Sequence, residues 1–233
     1  MTLVRSLADG EPRAETPRFP LPPSAALRAG LSDVVMRRRS IRQFQGTPVP
    51  FGDLGTILRH CGAVTAEADE DLTGSAGGPQ YVTTRFRAVP SAGGLYPVEI
   101  WVAAQRVDGL PPGVYRYRPA DDALAFHDDE QALPRLHATF AADETGLGVP
   151  SAAFALLLVG RPWRSMRKYG PRGLRFVLHE AGAISFAAHL AATATGLGAV
   201  DFSGFYDEET NDVLGLDGTF HALLHVVVAG VPG

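Results

Sequence analysis

Cysteine is nearly absent from this 233-residue chain, where Cys61 stands alone. One thiol excludes an internal disulfide framework and suits a reducing compartment, so the cytoplasm is the expected location. Lysine is as scarce: of 21 Lys and Arg residues, Lys168 is the single lysine. Arg keeps its proton in proteins whereas Lys can release one, so a lone Lys in an Arg-rich chain is a candidate for proton chemistry. Excess positive charge is missing as well. The formal net charge is -4, which speaks against nucleic acid as a partner, because that role needs a basic face. No apolar run reaches membrane-spanning length, and the first residues lack the apolar core of a signal peptide. Three catalytic signatures are missing: a G-x-G-x-x-G between strand and helix, a Walker lysine motif and a G-x-S-x-G elbow. His221 and His225 would share a face in a helix or a strand, but no acidic or Cys ligand pairs with them in the sequence, and no metal is expected.

What is present has an ordinary globular balance, 45% hydrophobic and 20% charged, with enough length for a sizeable core. Residues 1–30 are rich in Pro, Arg and Ala. Phe19-Pro20-Leu21-Pro22-Pro23 cannot be helix or central strand, so an extended arm is expected, partly disordered or lying across a partner. Residues 31–233 read as one domain. Ser32 or Asp33 is a candidate N-cap for a short helix running into Arg37-Arg38-Arg39-Ser40-Ile41-Arg42. Leu54, Ile57, Leu58 and Cys61 lie on one face of a second helix that opens at Pro50-Phe51 and stops at Gly62.

Residues 65–78 are acidic and then Gly/Ser-rich, and read as a flexible loop or lid. A small-residue turn, Pro90 to Pro97, precedes a strand at Val98–Ala103. Val114–Tyr117 and Ala123–Phe126 read as paired strands, Glu130–Phe140 as a helix and Ala153–Val159 as a buried strand. Trp163–Tyr169 reads as helical, with Pro171-Arg172-Gly173 interrupting it. Leu174–Thr195 is apolar almost all round, as a helix at the centre of a domain would be. Asp201–Phe205 reads as a turn, Asp207–Leu214 as a helix and Phe220–Ala229 as a last strand. The class is α+β.

Guanidinium forks suit phosphate, and a Ser hydroxyl among them adds a neutral donor. By itself the Arg37–Arg42 cluster is equally a solvated basic helix end. Three motifs in order change that balance. Arg38-Arg39-Ser40-Ile41-Arg42, Pro90-Ser91-Ala92-Gly93-Gly94-Leu95-Tyr96-Pro97, and Lys168-Tyr169-Gly170-Pro171-Arg172-Gly173 followed by Glu180-Ala181-Gly182 together resemble the nitroreductase-like flavoproteins. Within them the chain is similar to the branch that oxidises thiazoline or oxazoline rings in modified peptides.

The resemblance runs from about Leu31 to the C-terminus. It implies a mostly antiparallel sheet flanked by helices, a long buried central helix and a homodimer with FMN at the interface. It also implies FMN contacts from Arg38, Arg39, Ser40 and Arg42, with Arg37 in solvent, and from Pro90, Ser91, Ala92 and Gly93 reaching the flavin of the other subunit. Ser203 and Gly204 would pass the ring edge. Lys168 and Tyr169 would be the catalytic pair, one of them taking a proton while hydride goes to the flavin, which dioxygen reoxidises. The peptide substrate and a cyclodehydratase or carrier protein are the implied partners.

Three departures stand out: Ala183 where the family often has His, Phe186-Ala187 where it often has Gln-Asn, and the absence from Val226–Gly233 of the basic residues that close the phosphate site in plain nitroreductases. The rival readings are an NAD(P)H-dependent nitroreductase or flavin reductase, and a non-catalytic scaffold subunit of a peptide-modifying complex. The acidic stretch Glu67–Asp71 and the hairpin around Tyr115 are candidate substrate surfaces.

Overall fold

A computed structural model describes residues 16–24, 26–71, 81–141 and 146–233. Its centre is a seven-stranded sheet. The strands are β1 (Arg18–Pro20), β5 (Val98–Ala104), β7 (Gly113–Arg118), β8 (Ala123–Asp128), β9 (Phe154–Gly160), β10 (Gly198–Phe202) and β11 (Ala222–Gly230). Their order is β1-β8-β7-β5-β9-β11-β10, with antiparallel neighbours throughout. A parallel pair, β2 (Val49–Pro50) with β6 (Val107–Asp108), and a hairpin, β3 (Val64–Asp71) with β4 (Tyr81–Arg87), stand apart from it.

The central strands are apolar on both faces because both faces are covered. In β9 side chains alternate between two cores: Phe154, Leu156 and Leu158 enter one, and Ala155, Leu157 and Val159 the other. The first core is closed by α2 (Phe51–Gly62) and α5 (Gly173–Ala194). The second is closed by α3 (Ala132–Ala138) and α6 (Asp207–Leu214). Leu54, Ile57, Leu58 and Cys61 pack inward from α2 as their spacing predicts. Burial pushes the Cys61 thiol up to about 12, so it behaves as an inert apolar group.

Several boundaries differ from the sequence expectation. The N-terminal segment forms an edge strand on this chain's own sheet, with Arg18, Phe19 and Pro20 facing Ala125, Leu124 and Ala123. An edge position tolerates Pro20 because its missing N–H faces away from the ladder. The helix α1 (Leu31–Arg37) is capped by Gly30, not by Ser32 or Asp33, and Asp33 instead pairs with Arg37 at 2.7 Å. Residues 65–71 are strand, not loop, with Glu67 opposite Arg85 and bonded to it at 2.7 Å; the expected Gly/Ser-rich part lies outside the described residues. The strand β4 was not anticipated at all. Asp201 and Phe202 end a strand and are not part of a turn. Tyr115 is fully buried, its hydroxyl donating to the Pro111 carbonyl, and offers no surface to a substrate.

The helix α5 corrects the expectation of burial all round. Val177, Glu180, Ala181, Ile184, Ala188 and Ala191 face the core. Leu174, Leu178 and Phe186 are 46%, 54% and 52% exposed, at i+4 spacing with Gly182 between them. Leu31, Val35 and Met36 of the adjoining α1 are exposed too. Together they make a broad apolar face.

Candidate functional site

Pro90–Pro97 folds as a short 3-10 turn over Ala92–Gly94. Tyr96 is held at φ 45, a left-handed conformation that is costly for an aromatic residue. Its surroundings over-determine it. The hydroxyl accepts the Arg87 N–H (2.8 Å), the N–H donates to Ser91 Oγ (2.9 Å), and the carbonyl accepts from Arg164 (3.0 Å). The Arg87 guanidinium also lies 4.7 Å from its ring centre. Glu180 of α5 anchors the far end, Oε1 accepting the Val98 N–H at 3.1 Å. Burial raises this carboxyl to about 7, against the opposing pull of Ser91 and the Val98 N–H.

The turn thus fixes Gly93, and Gly93 is where Lys168 and Tyr169 arrive. A Cβ on Gly93 would stand 2.5 Å from Tyr169 Oη and 2.7 Å from Lys168 Nζ, and its φ is 66. Only glycine fits there. Both side chains come from the last turn of α4 (Pro162–Tyr169), where Gly170–Arg172 breaks the helix before α5 begins. Gly173 sets the crossing, since a Cβ there would meet the Met166 backbone at 2.6 Å. Tyr169 packs edge-on against Phe176 at 4.8 Å, and Lys168 Nζ lies 5.4 Å from the Tyr169 ring centre. The structure therefore brings the second and third motifs together within one chain.

The first motif lies elsewhere. The helix α1 ends at Arg37, and Arg38 turns the chain into an extended path beside β10, with Ser40 bridging Ala199 and the Ile41 N–H bonded to the Ala199 carbonyl. Arg38 and Ser40 open onto a cavity of about 620 Å³ that runs along α5 from Leu178 to His189. The Arg38 guanidinium makes no hydrogen bond or ion pair among the described residues. Arg39 folds back onto the carbonyls of Met36 and Arg38 (3.0 and 2.7 Å). Arg37 is exposed, as expected. Arg42 is exposed and does not line the cavity. From Phe176, the neighbour of Tyr169, to Ser185 is nine residues of helix, or about 14 Å.

The cavity also contains a network that sequence reasoning missed. Asp201 accepts from His225 Nε2 (2.8 Å), pairs with His189 Nε2 (3.2 Å) and accepts from the Ser185 hydroxyl. Ser203 Oγ bonds to the other ring nitrogen of His225 at 2.6 Å. Burial works to raise Asp201, but hydrogen bonds from His189, His225 and Ser185 outweigh it and hold the carboxyl far below the usual range. His225 was weighed only as half of a pair with His221. The bulge between Leu223 and His225 separates them, and His221 sits 3.7 Å from Asp217 instead. No three His, Cys, Asp or Glu side chains are arranged so that they could hold a metal ion among the described residues. No helix among them is long and apolar enough to cross a membrane.

With this geometry in view, comparison with known proteins is informative. The profile described as "Nitroreductase family" matches residues 35–231. "Putative nitroreductase MJ1384" of Methanocaldococcus jannaschii is 33% identical over 184 residues, 79% of this chain and 83% of that protein. The "Microcin B17-processing protein McbC" of Escherichia coli is 29% identical over 137 residues, 56% of this chain; the match spans about half, 49%, of that protein. Among solved structures, the E. coli microcin synthetase McbBCD complex with truncated pro-MccB17 bound contains a chain of the same fold (TM-score 0.66, 22% identity, 95% of this chain and 79% of that one). The NADPH:FMN oxidoreductase of Vibrio harveyi complexed with NAD+ also shares it (TM-score 0.56, 18% identity, 87% and 68%).

Proposed function

The chain belongs to the nitroreductase family, and from that premise we propose that it is an FMN-dependent dehydrogenase that oxidises thiazoline or oxazoline rings in a peptide to thiazole or oxazole. The observation that carries this reading is the convergence of Lys168 Nζ and Tyr169 Oη on Gly93. A general base must stand within hydrogen-bond reach of the proton it removes, and two proton-accepting side chains meet at one rigid turn. The likeness to the E. coli microcin-processing protein supports the choice of a peptide-borne ring.

The residues present fit FMN. Arg38 has a guanidinium without a partner among the described residues, at a cavity large enough for a cofactor that Ser40 also lines. Arg38 and Ser40 would hold the phosphate, and Ser203 with Gly204 would lie along the ring edge. Arg42 lies outside the cavity and would contribute less than Arg38. When bound, FMN supplies the hydride acceptor. This chain's own part is to orient the azoline ring, exclude water and take the second hydrogen as a proton on Lys168 or Tyr169. The electron pair of that C–H bond then forms the new ring double bond as hydride leaves the neighbouring carbon.

The chemical corner and the phosphate cavity lie apart in a single chain. A second copy, docked through the apolar face of α1 and α5, would complete the site, with Pro90–Gly93 of one copy reaching the flavin held by the other. The exposed stripe Leu174, Leu178 and Phe186 supports this arrangement.

The test is direct. Purified yellow protein mixed with a thiazoline-containing peptide in air should remove two hydrogens from the peptide, read by mass spectrometry. The NAD(P)H-driven reductase is the second reading, favoured by the M. jannaschii relative. Rapid reduction of the bound flavin by NADPH with no change in the peptide would establish it instead.

A further inference from the structure

A second cavity, of about 750 Å³, is neither at Arg38 nor at Lys168. It opens on the sheet face opposite α2 and α5, and Trp101, Arg116, Arg118 and Arg18 are among the residues that line it. Its charges do not balance. Arg116 and Arg161 both close on Glu99, at 3.0 and 2.9 Å. Arg118 and Arg18 both close on Asp121, at 2.8 and 3.3 Å. Arg164 also pairs with Glu99, at 3.7 Å, so two carboxylates serve five guanidiniums. The field is felt nearby: burial and then Arg161 lower the proton affinity of His221, which also lines the cavity.

The sheet register sets the spacing. Arg116 stands opposite Trp101 on β5 and Ala125 on β8, and Ala125 stands opposite Arg18 on β1. Directly opposite residues share a face. Neighbouring strands lie about 4.8 Å apart, so Arg116 and Arg18 are roughly 10 Å apart across the sheet. A single phosphate is too small to reach both. About three residues of extended peptide span that distance. Trp101, with the Arg116 guanidinium 5.2 Å from its ring centre, adds an apolar wall.

We propose that this cavity binds an acidic stretch of the peptide substrate, its carboxylates meeting Arg116 and Arg18, while the reacting ring is handled at Lys168 and Tyr169. It rests on the peptide-directed reading above for the identity of the peptide, and on the cavity alone for the chemistry. Arg164 links the two places: it lines the cavity, donates to the Tyr96 carbonyl of the turn that carries Gly93, and precedes Lys168 by one turn of α4. An anchor at this distance would hold a flexible substrate without touching its reacting atoms.

The experiment is fluorescence anisotropy on the FMN-loaded protein with a fluorescein-labelled hexaglutamate and its hexaglutamine counterpart. The glutamate peptide should bind more tightly and weaken as salt is raised. Arg116→Gln and Arg18→Gln should each weaken it about tenfold, since each removes charge-assisted hydrogen bonds yet leaves Arg161 or Arg118 on the remaining carboxylate. Arg135→Gln, outside the cavity and paired with Asp128, should leave binding unchanged. Equal binding of the two peptides, wild-type binding by both cavity variants, or tighter binding of labelled oligothymidylate would overturn the inference. Flavin content and azole formation are read separately. Loss of charge-selective binding with both intact defeats this inference alone, whereas absent flavin or absent azole defeats the reading of the reaction.

Discussion

At the Gly93 corner the backbone is strained and pinned from several sides, by Arg87, Ser91, Arg164 and Glu180, and Lys168 and Tyr169 have little room. Around Arg38 the chain runs extended, and its guanidinium lines an open cavity without a partner among the described residues. One region spends its interactions on geometry, and the other keeps its interactions for a ligand. Proton transfer needs fixed distances, because small displacements cost rate steeply. Holding a phosphate needs unspent donors, because every internal hydrogen bond would compete with the ligand.

The largest effect that would break this contrast is loss of the base. Lys168→Ala and Tyr169→Phe should lower azole formation by about 10² to 10⁴ while flavin absorbance stays, measured by single-turnover kinetics beside a visible spectrum. Full activity in both would remove the corner from the chemistry.

Next comes Glu180, beneath the same turn. Its folded value is about 7 against the usual 4.5, so the native chain holds this proton more tightly than the unfolded chain. Its contribution is fully present below pH 4.5 and lost as pH rises through 7, by about 3 kcal/mol in total. Urea unfolding of the wild type from pH 5 to 8 should show that decline, and Glu180→Gln should flatten it.

At the other region, Arg38→Ala should weaken FMN binding between about tenfold and a hundredfold, with azole formation restored at saturating FMN, as titrated by flavin fluorescence. Arg42→Ala, outside the cavity, should do less. Gly93→Ala sharpens the contrast. A Cβ there pushes on Tyr169 and Lys168 and should cut turnover roughly tenfold, measured at saturating FMN. The smallest effect on the isolated fold is expected at the apolar face. Phe186→Asp should convert a dimer to a monomer by sedimentation, while unfolding stability moves by no more than about 0.5 kcal/mol, because the side chain is half exposed in one copy.

Elements with a strong internal period were legible in the sequence. The helices α2 and α6 lie where capping and spacing put them, and β5, β7, β8 and β9 appear with boundaries shifted by a residue or two. The hairpin β3–β4 was not, since Glu67 and its acidic neighbours carry no apolar alternation, and the strand is held by cross-strand pairs such as Glu67 with Arg85. The small-residue turn and the Lys-Tyr pair were visible as motifs, but their meeting at Gly93 was not. The network of Asp201, His189, Ser185 and His225 went unseen because its members come from α5, β10 and β11, and no short spacing links them.

What the sequence by itself determined is the alternation that builds two cores on one sheet, the break at Gly170–Arg172, and the presence of a lone Lys beside Tyr169. These are local properties, written in hydrophobic period and in the few residues that tolerate a given backbone angle. The tertiary structure alone decided which charges are spent and which are free. Glu99 takes three guanidiniums and Asp121 two, whereas Arg38 meets no carboxylate among the described residues. Electrostatic partnership depends on distances of a few ångströms between strands far apart in the chain, and those distances exist only once the sheet has closed.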